Sequence, residues 1–112
     1  MELTLATDVL GRLSCALSDG KEVATLSASN HRAASSVLVE AIHEAETTGY
    51  GECYWQQAEG EYRWMFRRDG AKVRVAVLWS TGTLTGWEHV FWSECDFEPF
   101  ARHVRSEVAR QN

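Results

Sequence analysis

The sequence has few of the features that mark secreted or membrane proteins. It contains one proline and three cysteines in 112 residues, and Cys15, Cys53 and Cys95 show no CxxC spacing. An odd number of widely separated cysteines is not the pattern of a disulfide framework. No apolar run approaches the roughly 20 residues of a membrane helix, and the start MELTLATD lacks the basic region and apolar core of a signal peptide. We therefore expect a cytoplasmic protein without a membrane partner.

Motifs for phosphate binding and nucleophilic catalysis are also missing. The chain has no GxGxxG, no Walker loop and no GxSxG. Its four histidines lack the spacing of zinc ligands. Cys53 or Cys95 could pair with His89 as a nucleophile, but no neighbouring residue marks either thiol as activated. We predict no catalytic residue, no metal site and no cofactor, and we favour a protein that is not an enzyme.

Tryptophan is the residue in excess. The chain has five, and four of them fall between residues 64 and 92. A core of this size can bury a few such rings, and an exposed aromatic cluster usually marks a surface for a partner or ligand. Alternatively, a further strand or the N-terminal hairpin covers the aromatic cluster and makes it part of the core. We give the two interpretations equal weight. The candidate partner-binding or ligand-binding residues are Tyr54, Trp55, Trp79, Trp87, His89 and Trp92.

Charge is distributed unevenly along the chain. The net charge is −5, yet residues 61–74 hold five basic and two acidic side chains. The overall acidity argues against nucleic acid as a partner. A basic hairpin could bind an anion, although it also discourages pairing of the strand with a copy of itself, which is the interpretation we favour. The candidate anion-binding residues are Arg63, Arg67, Lys72 and Arg74.

The same region gives the clearest structural pattern, a β-hairpin. Asp69-Gly70 favours a two-residue type I′ turn, and alternating apolar residues flank it on both sides. A turn centred there sets Trp64 opposite Val75. We expect the aromatic side of this hairpin to be buried under a helix and the basic side to face water.

Hydrophobic periodicity predicts the remaining elements. Two amphipathic helices are expected at about 31–48 and 97–110, the first capped by Asn30 and ended by Gly49, the second capped by Asp96 with Pro99 in its first turn. Residues 8–19 are compatible with a short helix or with a strand turning at Asp19, and we favour the strand. The other strands are predicted at 2–7, 22–27, 52–57, 61–68, 71–79 and 87–93.

These elements predict a fold class and a domain organisation. We expect residues 1–112 to form a single α+β domain. It would contain one antiparallel sheet of about five to seven strands, with both helices packed on one face.

Two functional hypotheses from different classes follow. The first is a non-enzymatic protein-interaction module of the inhibitor or immunity-like kind, which binds a protein partner or a second copy through a Trp-rich sheet surface or an acidic helix. The alternative is a small-molecule-binding domain or minor enzyme with an aromatic-lined pocket between sheet and helices. His89 with Glu88 or Tyr54 would supply polar contacts there. A cavity at the aromatic cluster would favour the alternative, and a solid core with the aromatic rings outside would favour the first hypothesis.

Overall fold

The computed structural model describes residues 1–82 and 86–111. Those residues form seven strands and two helices, which confirms the α+β class. The elements are β1 (Glu2–Thr7), β2 (Leu13–Ser18), β3 (Val23–Ala28), α1 (His31–Thr48), β4 (Tyr50–Gln56), β5 (Glu61–Asp69), β6 (Lys72–Ser80), β7 (Glu88–Asp96) and α2 (Phe97–Gln111).

The strands divide into two antiparallel sheets, so the prediction of a single sheet is wrong. One sheet has the order β1-β2-β3 and the other β4-β5-β6-β7. A continuous ladder would need a series of backbone bonds along neighbouring strands. Within the described residues, the backbone bond between the sheet ends runs from Ser29 N–H to Gln56 O (2.9 Å), with a side-chain bond from Gln57 Nε2 to Ser27 O (3.0 Å).

The first sheet consists of two hairpins, which confirms the strand interpretation of the ambiguous segment. An aspartate closes each turn: Asp8 accepts two backbone N–H bonds after β1, and Asp19 accepts two after β2. Because these bonds stabilise the ionised form, the pKa of each carboxyl lies below its usual value.

Helix α1 has the predicted bounds and the predicted caps. The Asn30 side chain accepts from Ala33 N–H, and Gly49 ends the helix at φ 90°, in the left-handed region. The helix lies so close to β4 that a Cβ at Gly51 would overlap the carbonyl oxygen of Ala41. Glycine at this position therefore allows the helix and strand to make contact through their backbones.

The central hairpin turns one residue later than predicted. Its central residues are Gly70 and Ala71, and only Gly70 has positive φ (62°), as at the first position of a type II′ turn. Trp64 therefore pairs with Val77 rather than Val75, so the predicted register is wrong by two residues. A shift of two keeps every side chain on its predicted side of the sheet, since side chains alternate with a period of two.

Helix α2 follows β7 directly and lies against β1. A ring nitrogen of His103 approaches Leu3 O at 2.6 Å, and the Arg110 and Gln111 side chains both donate to Leu5 O. These bonds cover the edge of β1 that does not pair with β2. The helices therefore have different neighbours, since α1 packs mainly against β4 and α2 mainly against β1.

One cluster of buried side chains joins both sheets and both helices. Trp55 and Trp64 lie within it with ring centroids 5.0 Å apart, and Phe66 stacks on Trp64 at 5.8 Å. The space between the second sheet and α1 is therefore packed with large side chains. The opposite side of that sheet has no helix on it and carries the candidate site.

Candidate functional site

The open face is the side of the four-stranded sheet that points away from the core. Alternation along each strand sends every second side chain to this side, except in β7, where one extra residue between His89 and Phe91 shifts the register. Strand register places the following residues there: Tyr50, Glu52, Tyr54, Glu61, Arg63, Met65, Arg67, Asp69, Lys72, Arg74, Ala76, Leu78, His89, Trp92, Glu94 and Asp96.

Three large aromatic side chains are exposed on or beside the open face. Tyr54 is 40% exposed, Trp87 39% and Trp92 49%. The Trp87 ring lies against the face, with its centroid 6.2 Å from that of Tyr54. Together with His89, these are four of the six side chains that the sequence suggested for binding.

The other two predicted residues lie elsewhere. Trp55 is fully buried, and its Nε1 donates to Ala34 O of α1 at 3.1 Å, so it is a core residue. It cannot share a surface with Tyr54, because adjacent residues of a strand point to opposite sides. Trp79 is half-buried and packs against Tyr62 with ring centroids 4.6 Å apart, away from the open face.

Arg63 organises the aromatic corner of the open face. Its guanidinium carbon lies 5.9 Å from the ring centroids of both Tyr54 and Trp87. Its Nε and Nη2 donate to Glu52 Oε2 at 3.0 and 2.7 Å, and the Tyr50 hydroxyl donates to the same oxygen at 3.1 Å. The Arg63 hydrogen bonds hold the pKa of the Glu52 carboxyl below its usual value. Cation–π contacts and hydrogen bonds therefore hold two exposed rings in defined positions.

The predicted anion-binding residues are largely neutralised by neighbouring strands. Lys72 pairs with Asp96 at 2.8 Å and Arg74 with Glu94 at 3.4 Å, both on β7. Arg67 lies over the Tyr50 ring at 5.5 Å. The local excess of positive charge along the sequence therefore becomes a set of paired charges in the sheet, which leaves little net charge for an anionic ligand.

The middle of the open face is apolar. Met65 of β5 pairs with Ala76 of β6, and Ala76 pairs with Trp92 of β7, so the three side chains form one row across the sheet. Leu78 lies in the next row, beside Arg63. The arrangement is a flat apolar centre bordered by paired charges, which is the usual anatomy of a protein interface.

Several residues of this face are not among the candidate binding residues predicted from the sequence. Tyr50 and Glu52 precede Tyr54 by four and two residues, so alternation from Tyr54 would have found them. Met65, Ala76 and Leu78 follow in the same way from Arg63 and Arg74. Only the contact of Trp87 with Arg63 had no signal along the chain.

An open cleft of about 530 Å³ lies at the end of the sheet beside Trp87. Its lining mixes polar and apolar surface and includes Gln56, Gln57, Glu59 and Glu61. This is not the pocket between sheet and helices that the alternative hypothesis predicts, because Trp64 and its neighbours fill that space.

The acidic outer surface of α1 is partly neutralised as well. Glu46 lies 3.3 Å from Arg105 of α2 and 3.8 Å from His43. Glu40 and Glu44 border a groove that Arg105 also lines. The outer surface of α1 therefore carries less net negative charge than the sequence of the helix indicates.

The cysteines are poorly suited to nucleophilic chemistry. Cys15 and Cys53 are buried, and burial raises the pKa of each thiol far above its usual value. Burial also raises the pKa of the half-buried Cys95. His89 lies 3.4 Å from Glu22, so its nearest charged neighbour is a carboxylate.

Two broader searches of the described residues gave negative results. They contain no group of three or more His, Cys, Asp or Glu arranged to hold a metal ion, and no helix long and apolar enough to cross a membrane. Comparisons with known protein families, curated proteins and solved structures found no match. The open face is therefore the feature from which a function can be inferred.

Proposed function

We propose that the protein is a non-enzymatic protein-interaction module that binds a protein partner through the open face. The observation that carries this proposal is the exposure of Tyr54 and Trp87 around Arg63, and of Trp92 on β7, on one side of the sheet that neither α1 nor α2 covers. Trp, Tyr and Arg are the residues most enriched among binding hot spots. Side chains that are already held in place lose less conformational entropy when a partner binds.

The finer part of the proposal is a small acidic protein of the inhibitor or immunity-like kind in the cytoplasm. The net charge of −5 would speed association with a basic partner through long-range steering. The three free cysteines fit a reducing compartment. The burial of Cys15 and Cys53 supports a role that does not use thiol chemistry.

The cleft beside Trp87 favours a second candidate, binding of a small polar molecule. An indole wall and the carboxylates of Glu59 and Glu61 would suit a cationic group. Pockets that retain small ligands usually bury most of the ligand surface in an apolar setting, whereas this cleft is open to solvent and only partly apolar. We therefore rank this candidate below the protein-interaction module.

The test compares one substitution on the open face with a matched control. Trp92→Glu places a charge in the apolar centre of the open face, at a residue that is 49% exposed. Val23→Glu places the same charge at a more exposed apolar residue (76%) of the other sheet. Tagged wild-type protein and both variants are used for capture from the native cell. Any captured protein is then purified and titrated against each of them by calorimetry.

We expect the wild type and Val23→Glu to bind the purified partner equally. Trp92→Glu should weaken binding at least about 30-fold, the effect of losing a hot spot worth roughly 2 kcal/mol. Equal binding by all three proteins would exclude the open face as the docking surface. Binding of small cationic compounds at the cleft, without any protein partner, would favour the second candidate.

A further inference from the structure

We infer that a second copy of this chain covers the open face when no other protein occupies it. The inference rests on the proposed function, since it assigns an occupant to the same surface. Self-association and docking of another protein would then exclude each other. Three properties of the face support a second copy: its charge balance, its apolar centre and its area.

The open face is close to neutral, unlike the rest of the molecule. It carries four basic and five acidic side chains, a net charge of −1, which leaves −4 of the total of −5 for the remaining surface. Most of its cations are already paired within the face. Two such faces can therefore approach each other with little like-charge repulsion. Three of the four cations of each face already have an ion-pair partner there, and the fourth, Arg67, lies over the Tyr50 ring.

The apolar centre matches itself. The row of Met65, Ala76 and Trp92 is apolar across three neighbouring strands, and a second sheet can pack face to face against it at the ~10 Å separation of stacked sheets. A two-fold axis places the same patch on both sides of the interface, as in most homodimers. Among the described residues, the other strongly exposed apolar side chains are Val9 and Leu10 in the β1–β2 turn and Val23 on the first sheet, and none of them lies on the open face.

The area is at the lower limit for a specific dimer. Strands β5, β6 and β7 have nine residues each, so the face is about 30 Å long and, across four strands, about 19 Å wide. Two such faces would bury about 1,100 Å², just above the roughly 1,000 Å² expected of a biological interface. We therefore expect a reversible dimer with a dissociation constant in the micromolar range.

Sedimentation equilibrium of the purified full-length protein tests this inference. The wild type and Val23→Glu should shift from monomer to dimer as concentration rises through the micromolar range. Trp92→Glu should remain monomeric, with a dissociation constant raised at least about 30-fold. Circular dichroism checks that each variant is folded.

Salt separates the second copy from a basic partner. Two acidic protomers with paired interface charges should associate slightly more tightly at higher salt, because screening removes the repulsion between their net charges. A basic partner would bind less tightly under the same conditions.

Wild-type protein that stays monomeric at high concentration, or Trp92→Glu that dimerises like the wild type, would overturn the second-copy inference. A monomeric wild type that still captures another protein in a Trp92-dependent way would leave the proposed function standing.

Discussion

Single residues distinguish the two sides of the four-stranded sheet. Trp64 is fully buried among aromatic rings, whereas Arg74, ten residues later, is exposed and paired with Glu94. Trp64 Nε1 is also one of two buried side-chain polar atoms without a hydrogen-bond partner in the described part of the chain, the other being Ser35 Oγ. The contribution of Trp64 to stability therefore comes from packing.

Trp64→Ala should lower the free energy of unfolding by about 3–5 kcal/mol, because it leaves a cavity in the core. Arg74→Ala should change it by no more than about half a kcal/mol, since exposed ion pairs contribute little. Trp64→Phe, which removes the unpartnered N–H but keeps a ring, should cost less than Trp64→Ala. Urea unfolding followed by circular dichroism measures all three. If Arg74→Ala strongly destabilised the protein while Trp64→Ala left its stability unchanged, the side of the sheet that carries Arg74 would be the buried one.

Thiol reactivity gives a second prediction at the scale of single residues. In the folded protein at pH 8, iodoacetamide should modify Cys95 first, because Cys15 and Cys53 are buried and their pKa values are raised further. All three should react in urea. Mass spectrometry of the labelled peptides gives the order, and early labelling of Cys53 would contradict the packing of β4 against α1.

At the scale of elements, the contact between α1 and β4 depends on one glycine. Gly51→Ala would place a methyl group on the backbone oxygen of Ala41, so the helix or the strand must move. We expect destabilisation of about 1–3 kcal/mol or more, as for other overpacked sites. The control is Gly82→Ala, where no atom of the described residues beyond the chain neighbours lies within 4 Å of the added carbon, and a change within about 0.5 kcal/mol is expected. Similar thermal unfolding of the two variants would contradict the close approach.

Local patterns predicted most of the elements but not how they assemble. Asn30 and Gly49 defined α1 correctly because caps depend on residues adjacent in sequence. The division into two sheets could not be predicted from the sequence, because it depends on which strands pair with each other after α1. The turn at Gly70-Ala71 was missed by one residue because Asp-Gly and Gly-Ala both allow a tight turn with positive φ at glycine.

The candidate site shows the same difference between local and distant information. Alternation within the hairpin placed Arg74 on the exposed side, and the same rule applied to β4 would have excluded Trp55. The pairing of Lys72 with Asp96 and of Arg74 with Glu94 joins residues more than 15 positions apart. The charge summed along residues 61–74 therefore predicted a basic patch, whereas acidic residues of β7 neutralise much of that charge in the folded sheet.

At the scale of the whole molecule, four carboxyls couple stability to pH. The pKa values of Asp8, Asp19, Glu52 and Asp96 are lowered by backbone or side-chain hydrogen bonds. The unfolded chain therefore takes up protons before the folded protein does. The stabilisation is fully present above the unfolded pKa values near 4 and is lost as the pH falls through the lower folded values.

We therefore expect the free energy of unfolding to be steady between about pH 7 and 5 and to fall below about pH 4.5. In Glu52→Gln, the free energy of unfolding should fall less steeply with pH below about pH 4.5, because the substitution removes one of the four carboxyls. Urea titrations at a series of pH values measure the effect. A steeper fall in Glu52→Gln would contradict the assignment of Arg63 as the main cause of the lowered pKa of Glu52.

The cover of β1 by α2 has a consequence for how the chain folds during synthesis. The bonds to Leu3 and Leu5 come from residues 100 or more positions later, at His103, Arg110 and Gln111. A ribosome that has made the first sheet has not yet made the helix that protects its edge. The nascent chain must therefore carry an unprotected strand until nearly all of these 112 residues have emerged, and contacts of such long range also slow the final folding step. In the cell, the interval before α2 is completed is the period in which the chain is most prone to aggregate.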